Sequence, residues 1–529
     1  MHRFRKILYA VLAIAAIGCA KRGTISGGAK DTIPPVLEFS IPKNYSTGFK
    51  GNEIRLAFDE YVKLKDIDKQ LIVSPPLNFA PTVSPTTASR SFKITFRDTL
   101  LANTTYSMNF GQSIEDNNES NRLREFRYVF STGRHIDSLT LSGSIRDAFE
   151  IKPDSYVTVM LYEAGDTYND SIVFKQNPRY VANTLDSAGF RFENLKAGQY
   201  KLIALKDNVA NYRFDPKSDK IGFKAQTVSV PADTLHVLQI FKQEMPFRAL
   251  KPTLGQANKL VMGIDGRADS PKVTLRALGD SIPSVTTKLA DKDSLLIWYR
   301  PLKADSLNVR ISQGDYINSF DVKIKPQKQD TLKITSVYSG TLPLREAFKL
   351  RASRPIVSID ESLISIQAKD SAWVPFKSLY DTFNMTLTLD FERTPLEAYQ
   401  IRLLPGALTD FYNVQNDSLS FRIATKNTSE YGNLRLTLEN VRQYPLIVEL
   451  VKPDGKTAAV AHADSAATLI FDHLDPARYT VRIIYDTNSN GRWDSGNFLE
   501  GRQPEDVIYV PKEIDVRANW DVDQPVTLP

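Results

Sequence analysis

The chain has 529 residues, one cysteine and a net charge of +6. That charge is small for the length and no dense Lys/Arg block appears, which argues against nucleic acid as a partner. A lone cysteine excludes an internal disulfide framework.

The chain begins MHRFRKILYAVLAIAAIGC, with Arg3, Arg5 and Lys6 ahead of an apolar run over residues 7–18 and small residues just before Cys19. Cations, a short apolar run and a small-residue end are the parts of a secretory signal, assigned to residues 1–18. A retained transmembrane helix needs roughly 20 apolar residues, and no later run reaches that length. Ala16, Ile17, Gly18 and Cys19 resemble a lipobox, in which the sulfur is acylated and the peptide bond before it is cut. In an oxidising compartment a thiol consumed as a thioether is a reason to keep a single cysteine. Cys19 is therefore the expected lipidation site, and the mature chain, without its three signal cations, carries +3. Residues 19–35 (CAKRGTISGGAKDTIPP) are small, polar and rich in Gly and Pro, a composition that reads as a flexible tether.

Beyond residue 35, short β-branched and aromatic segments such as SYVTVMLYE, QYKLIALKD, LIVELV and YTVRIIYD alternate with Asn, Asp, Gly and Pro turns. This is the pattern of an all-β chain of sandwiches, about 100 residues each. Comparing the chain with itself exposes repeats. The segment DSAGFRFENLKAGQYKLIALKDN from Asp186 returns from Asp464, so that Phe192, Leu195, Tyr200 and Asp207 fall on Phe471, Leu474, Tyr479 and Asp486 at identical spacing. A second pair links IRLAFDEYVKLKDIDKQLIV, from Ile54, with FKLRASRPIVSIDESLISI, from Phe348. The predicted order is A (residues 36–134), B (135–245), C (246–328), A′ (329–428) and B′ (429–529). Each module is expected to pack its own core independently.

Module A, with DTIPPVLEFSIPKNYSTGFKGNEIRLAFDEYV, resembles the SbsA-type bacterial Ig-like domain, including the D-x-x-P-P opening and the F-D-E after the second strand. With CAKRGTISGGAKD before it, the stretch is similar to Ig-like-domain lipoproteins of the Bacteroidota. Module A′ is then a second Ig-like domain, and C a further Ig-like sandwich. Modules B and B′ resemble the prealbumin-like or carboxypeptidase-regulatory-like sandwich, whose L-x-x-G-x-Y-x-L pattern falls on Leu195, Gly198, Tyr200 and Leu202; in B′ the glycine is Ala477. These resemblances imply an architecture and an envelope address, not a reaction.

One loop carries a metal-ligand pattern. Asp486, Asn488, Asn490 and Asp494 occupy positions 1, 3, 5 and 9 of a candidate Ca²⁺ loop, with Gly491 at the sharp turn. Position 12, normally a bidentate glutamate, is Asn497, and Glu500 comes three residues too late. The equivalent loop of B keeps Asp207, Asn211 and Asp215 but has Val209 at position 3, which suits Asx turns better than an ion.

Catalytic patterns are weaker. Gly279, Asp280 and Ser281 resemble the nucleophile block of GDS-type esterases, and Asp233 and His236 their Asp-x-x-His, but in reversed order and in another module. The histidines, His2, His135, His236, His462 and His473, show no i, i+4 ligand spacing. Trp373, Trp493 and Trp520 lie near loops or the chain end, where they serve either as glycan platforms or as core filling or edge protection. The expectation is a non-enzymatic outer-membrane lipoprotein that binds other envelope proteins, with a glycan-binding lipoprotein and a sandwich hydrolase as the rival readings.

Overall fold

The computed structural model describes residues 31–529 apart from Thr167, Asp233, Asp291 and Ala466. The signal, Cys19 and most of the tether lie outside the described residues. The chain is almost entirely β, in tandem β-sandwiches. Strands follow directly from the pattern of their side chains. In Thr386–Phe391 (TLTLDF), Leu387, Leu389 and Phe391 are buried while Thr386, Thr388 and Asp390 face outward.

Two compact units divide the described chain. One reaches Leu141 and takes in Arg179–Leu185 and Phe192–Gly198; the other holds Ser142–Pro178, Asp186–Arg191 and everything from Gln199 onward.

Within the first unit, Glu53–Leu64 is the central strand of module A. It pairs with Leu37–Ile41 and Ser89–Thr95, and its far end pairs with Ile114–Asp116. The opposing sheet is Ile72–Ser74, Thr105–Asn109 and Arg127–Ser131. Between them lie Phe58, Phe92, Met108 and Phe130, with Tyr106 stacked on Phe130 at 5.4 Å.

Module A′ repeats this plan. Phe348–Ala352 pairs with Ile334–Ser336 and Thr386–Phe391, Ile356–Ile359 with Leu408–Asp410, and Ala398–Leu403 lies between Ile364–Gln367 and Leu419–Ala424. The agreement extends to single atoms. Tyr106 Oη accepts from Leu101 N at 2.9 Å and Tyr399 Oη from Thr394 N at 2.7 Å. Thr132 Oγ1 donates to Leu101 O and Thr425 Oγ1 to Thr394 O. These are corner bonds of the tyrosine-corner kind, closing one end of a sandwich through a side chain.

Each of these modules also turns a loop around a buried aspartate. Asp116 accepts from the N–H groups of Asn118, Glu119, Ser120 and Asn121. Burial alone would push its carboxyl up, but those four donors outweigh it and hold the pKa below the ordinary carboxylate value. Asp410 does the same for Tyr412 and Val414.

Modules B and B′ match each other in the same way. In B, Leu139–Asp147 runs parallel to His236–Ile240, while Gly198–Lys206 lies between Thr158–Glu163 and Lys220–Phe223. In B′, Gly432–Glu439 runs parallel to Asp521–Thr527, and Ala477–Tyr485 lies between Leu446–Val451 and Val507–Tyr509. Tyr200 and Tyr479 are buried near the start of the equivalent long strands. Module C is a sandwich of its own, packed around Leu260, Leu275, Leu295, Ile297, Val309 and Ile311.

Modules A, C, A′ and B′ each have a core cluster of their own, and a further small cluster joins two of them. Trp298 and Leu296 of C form one buried cluster with Phe411 of A′, and Phe383 of A′ packs against the core of C.

Candidate functional site

The 486–505 segment of B′ is the longest irregular stretch between two strands of that module, and it carries the sequence-predicted ligands. The structure brings three of their side chains together and sets the fourth, Asp486, on the backbone of the same loop. Asp486 is buried, and its carboxylate accepts from Asn490 N at 3.0 Å and Gly491 N at 2.7 Å. Gly491, at φ +74°, takes the left-handed conformation that this sharp turn requires. Asn488 Nδ2 and Asn490 Nδ2 both reach Asp494 Oδ2 at 2.5 Å. Their oxygens accept from Asn490 N and Arg492 N.

Asn497 is not part of this cluster. Its backbone pairs with Arg502, and its amide donates to Glu500. The carboxylate that closes the loop is Glu505, which the spacing did not mark. Glu505 Oε1 accepts from Thr487 N and Oγ1, both at 2.7 Å, and Oε2 from Asp494 N at 2.9 Å. It lies far enough along the chain that only the fold returns it to the loop. Among the described residues, no group of three His, Cys, Asp or Glu side chains is placed to hold a metal.

The equivalent loop of B is held by turns. Asp207 accepts from Val209 N, Ala210 N and Tyr212 N, Asn211 from Arg213 N, and Asp215 from Lys217 N.

Beyond Asp494 the B′ segment becomes a docking element. Phe498 is buried among Phe174, Phe214 and Phe223 of module B, with ring centroids 5.3–6.3 Å away. Its N–H donates to Gln243 Oε1 at 3.0 Å. Gly496 lies so close to module B that a Cβ there would meet Phe241 at 2.5 Å, so glycine is required for the approach. Trp493 packs on Phe149 at 4.8 Å, and its indole donates to Glu505 O. Arg482 stacks over the same Phe149 ring and is ion-paired to Glu449, and Tyr509 Oη donates to Phe149 O at 2.6 Å.

A second junction joins C to A′. Arg354 and Asp410, both buried, form an ion pair of 2.8 Å. The loop that Asp410 organises carries Phe411 and Tyr412 onto C, where Tyr412 Oη donates to the carbonyls of Ala257 and Asn258 at 3.1 Å. Arg300 of C returns bonds to Phe411 O and Asn413 Oδ1. Burial raises the Tyr412 hydroxyl above its ordinary pKa, more than Arg354 lowers it, so it stays a donor throughout the physiological range.

The remaining candidates are scattered. Ser281 lies in Asp280–Ile282 of C, His236 in His236–Ile240 of B, and Asp233 falls outside the described residues. Trp373 is exposed beside a groove of A′ lined by Glu361, Ser362, Phe376 and Leu404, whereas Trp520 is an exposed residue of B′ stacked by Arg517. Among the described residues, no helix is long and apolar enough to cross a membrane.

No curated protein matches the chain. Among solved structures, domains 1–6 of the surface layer protein SbsC align with 10% identity over 91% of this chain and 67% of that one, at a TM-score of 0.15. Immunoglobulin domains 1–4 of Sidekick-1 align at 9% identity over 72% of this chain and 95% of that one, at a TM-score of 0.18. The Bacteroides ovatus glucan-locus protein SGBP-B, solved with a mixed-linkage heptasaccharide, aligns at 10% identity over 72% and 91%, also at 0.18. The sequence of module A gives the firmer assignment: residues 31–132 match the bacterial Ig-like domain family, at the head of a chain of tandem β-sandwiches.

Proposed function

We propose that this chain is a lipid-anchored outer-membrane protein, held by acyl groups on Cys19, that serves as a scaffold for other envelope proteins, including as an accessory to an outer-membrane β-barrel complex. The observation that carries this reading is the pairwise locking of sandwiches by buried side chains, B with B′ through Phe498 and C with A′ through Tyr412. Locked modules hold their loops and sheet faces in fixed register, which suits positioning partners better than turning over a substrate. A standard protein interface buries about 1,600 Å², within reach of two or three such modules. The anchor contributes about 0.8 kcal/mol per buried methylene, and confinement to one membrane raises the effective concentration of partners.

The test is purification of the full chain from outer membranes in mild detergent. The same membrane proteins should co-purify in fixed proportion, and Cys19→Ser should lose both the acyl groups and that association. Recovery of acylated protein from Cys19→Ser would remove the anchor from the reading. A chain that migrates alone and binds polysaccharide on a glycan array would replace the scaffold with a glycan-binding lipoprotein, a second reading supported by exposed Trp373 beside its groove.

The proposal extends to Ca²⁺ at Asp486, Asn488, Asn490 and Asp494, supported by the meeting of Asn488 and Asn490 with Asp494 and by the Asp486 carboxylate on the backbone of the same loop. A cation there would turn the two amide oxygens toward Asp494 in place of the nitrogens. A ligand confined to the folded state adds about 2.7 kcal/mol at a hundredfold excess over Kd. Chelator should therefore lower the melting temperature of the full chain, and Asp486→Asn should abolish the difference. An unchanged melt means that turns alone hold the loop.

A further inference from the structure

Module C ends one of its sheets on an unprotected edge. The order across that sheet is Asp280–Ile282, Lys272–Ala277, Ser306–Gln313, Tyr316–Lys323. With eight residues, Tyr316–Lys323 is the longest strand among the described residues to close a sheet on one side only. It pairs with its neighbour without a bulge, from Gln313↔Tyr316 to Ser306↔Lys323, and contains neither Pro nor Gly. Three other edges are blunted. Asp521–Thr527 contains Pro525, Lys288 N at the end of Ser284–Lys288 donates to Phe383 O, and Ala424 at the end of Leu419–Ala424 bonds Gly340 and Leu342.

The hairpin geometry says which groups face outward. Gly314, at φ +55°, takes the first place of a two-residue turn, so Gln313 and Tyr316 form the hydrogen-bonded pair that closes it. Alternation then turns the N–H and C=O groups of Ile317, Ser319, Asp321 and Lys323 away from the hairpin. Ser319 N is held by the neighbouring Asn318 Oδ1, and the outward groups make no backbone hydrogen bond elsewhere among the described residues.

The outer face beside this edge is basic. Lys272, Arg276, Arg310 and Lys323 point out of it against one carboxylate, Asp321, which Asn308 already bonds. The register sets Arg310 opposite Thr274, diagonal to both Lys272 and Arg276. None of the four cations forms an ion pair among the described residues. Residues 246–328 hold fourteen Lys and Arg against eight Asp, a net +6 that equals the excess of the whole chain.

We propose that this edge and its basic face dock an extended, acidic polypeptide strand of a partner protein by strand addition. The inference rests on the protein-binding reading and names the surface and the chemistry of its partner. An anionic lipid surface would satisfy the cations but leave the row of backbone groups unused; an acidic strand satisfies both.

The probe is a fluorescent, end-capped peptide of alternating valine and aspartate, of the same length as the strand, titrated into the full chain in mild detergent. Saturable binding is expected, at least about tenfold weaker when alternate peptide amides are N-methylated, and absent when lysine replaces aspartate. Ser319→Pro removes an outward N–H and none of the hairpin bonds, and Arg276→Glu/Arg310→Glu reverses the face; each should weaken binding at least about tenfold, with melting temperature as the check on folding. Ile317→Pro is a second edge variant, removing a different outward N–H without adding charge, should Ser319→Pro disturb the hairpin.

No saturable binding to the unaltered chain overturns the proposal. Equal binding of the N-methylated peptide, or binding insensitive to both edge variants, reduces the surface to a charge patch and also overturns it. Phosphatidylglycerol vesicles that bind the unaltered chain but not Arg276→Glu/Arg310→Glu, with the peptide unbound, make it a lipid face. Self-association abolished by Arg276→Glu/Arg310→Glu, again without peptide binding, makes the occupant a second copy. If membrane proteins still co-purify with Ser319→Pro, the scaffold reading stands and the edge alone has failed.

Discussion

Asp410→Ala should destabilise the chain by about 3–5 kcal/mol, the range for removing one partner of a buried ion pair. Asp410 is fully buried; it accepts Arg354 Nη1 at 2.8 Å and the N–H groups of Tyr412 and Val414, also at 2.8 Å. Alanine leaves a guanidinium with no counter-charge in a buried site and two backbone donors without an acceptor. The effect should not stop at A′, because the same loop carries Phe411 and Tyr412 onto C. Denaturant unfolding should show a lower midpoint, and limited proteolysis should open the C–A′ junction first. Arg354→Met in the same chain should restore part of the loss, since an apolar side chain of similar length leaves no orphaned charge. A change under about 1 kcal/mol for Asp410→Ala would mean that the pair is not what holds the loop.

The second large effect is expected at Phe498. Truncation to alanine removes a ring that touches Phe174, Phe214 and Phe223, and large-to-small changes of this kind typically cost about 3–5 kcal/mol. Phe498 lies between modules, so the expected readout is loss of coupling: calorimetry should resolve a separate transition for B′. Leu469→Ala, in the core of B′ itself, is the control. It should lower the stability of B′ without separating it from B. One transition, unshifted, for Phe498→Ala would show that Trp493, Arg482 and Tyr509 hold the junction without it.

The junctions account for the main departure from the sequence reading. Nothing in the sequence marks Phe174, Phe214, Phe223 and Phe498 as junction residues, since an inward-facing phenylalanine gives the same signal whether it meets its own sheet or a neighbour's. Glu505 was invisible for a related reason: its partners, Thr487 and Asp494, are reached by a returning chain and not at any fixed spacing. Trp493 had two readings, platform or filler, and the structure makes it a junction residue on Phe149. Within the ligand pattern, by contrast, the contacts are local: Asn488 and Asn490 meet Asp494, and Asp486 caps the backbone of Asn490 and Gly491, because turns bring residues this close in the chain together.

By itself the sequence determined the all-β class, the recurrence of two strand patterns and the pairing of Tyr200 with Tyr479. All three follow from local chemistry: two-residue alternation, turn residues and repeated spacing act within a few residues of each other and survive reading in one dimension. The resemblance of module A to an Ig-like domain came from motifs of the same local kind. Only the tertiary structure decided which sandwiches dock on which, which carboxylate closes the 486–494 loop, and which strand is left with a bare edge. The charges of module C were always present in the sequence. Their meaning depended on register, because a shift of one residue in Ser306–Gln313 would turn Arg310 inward and break up the basic face. Docking, closure and edges arise between residues far apart in the chain, where no spacing rule applies and burial alone selects the partner.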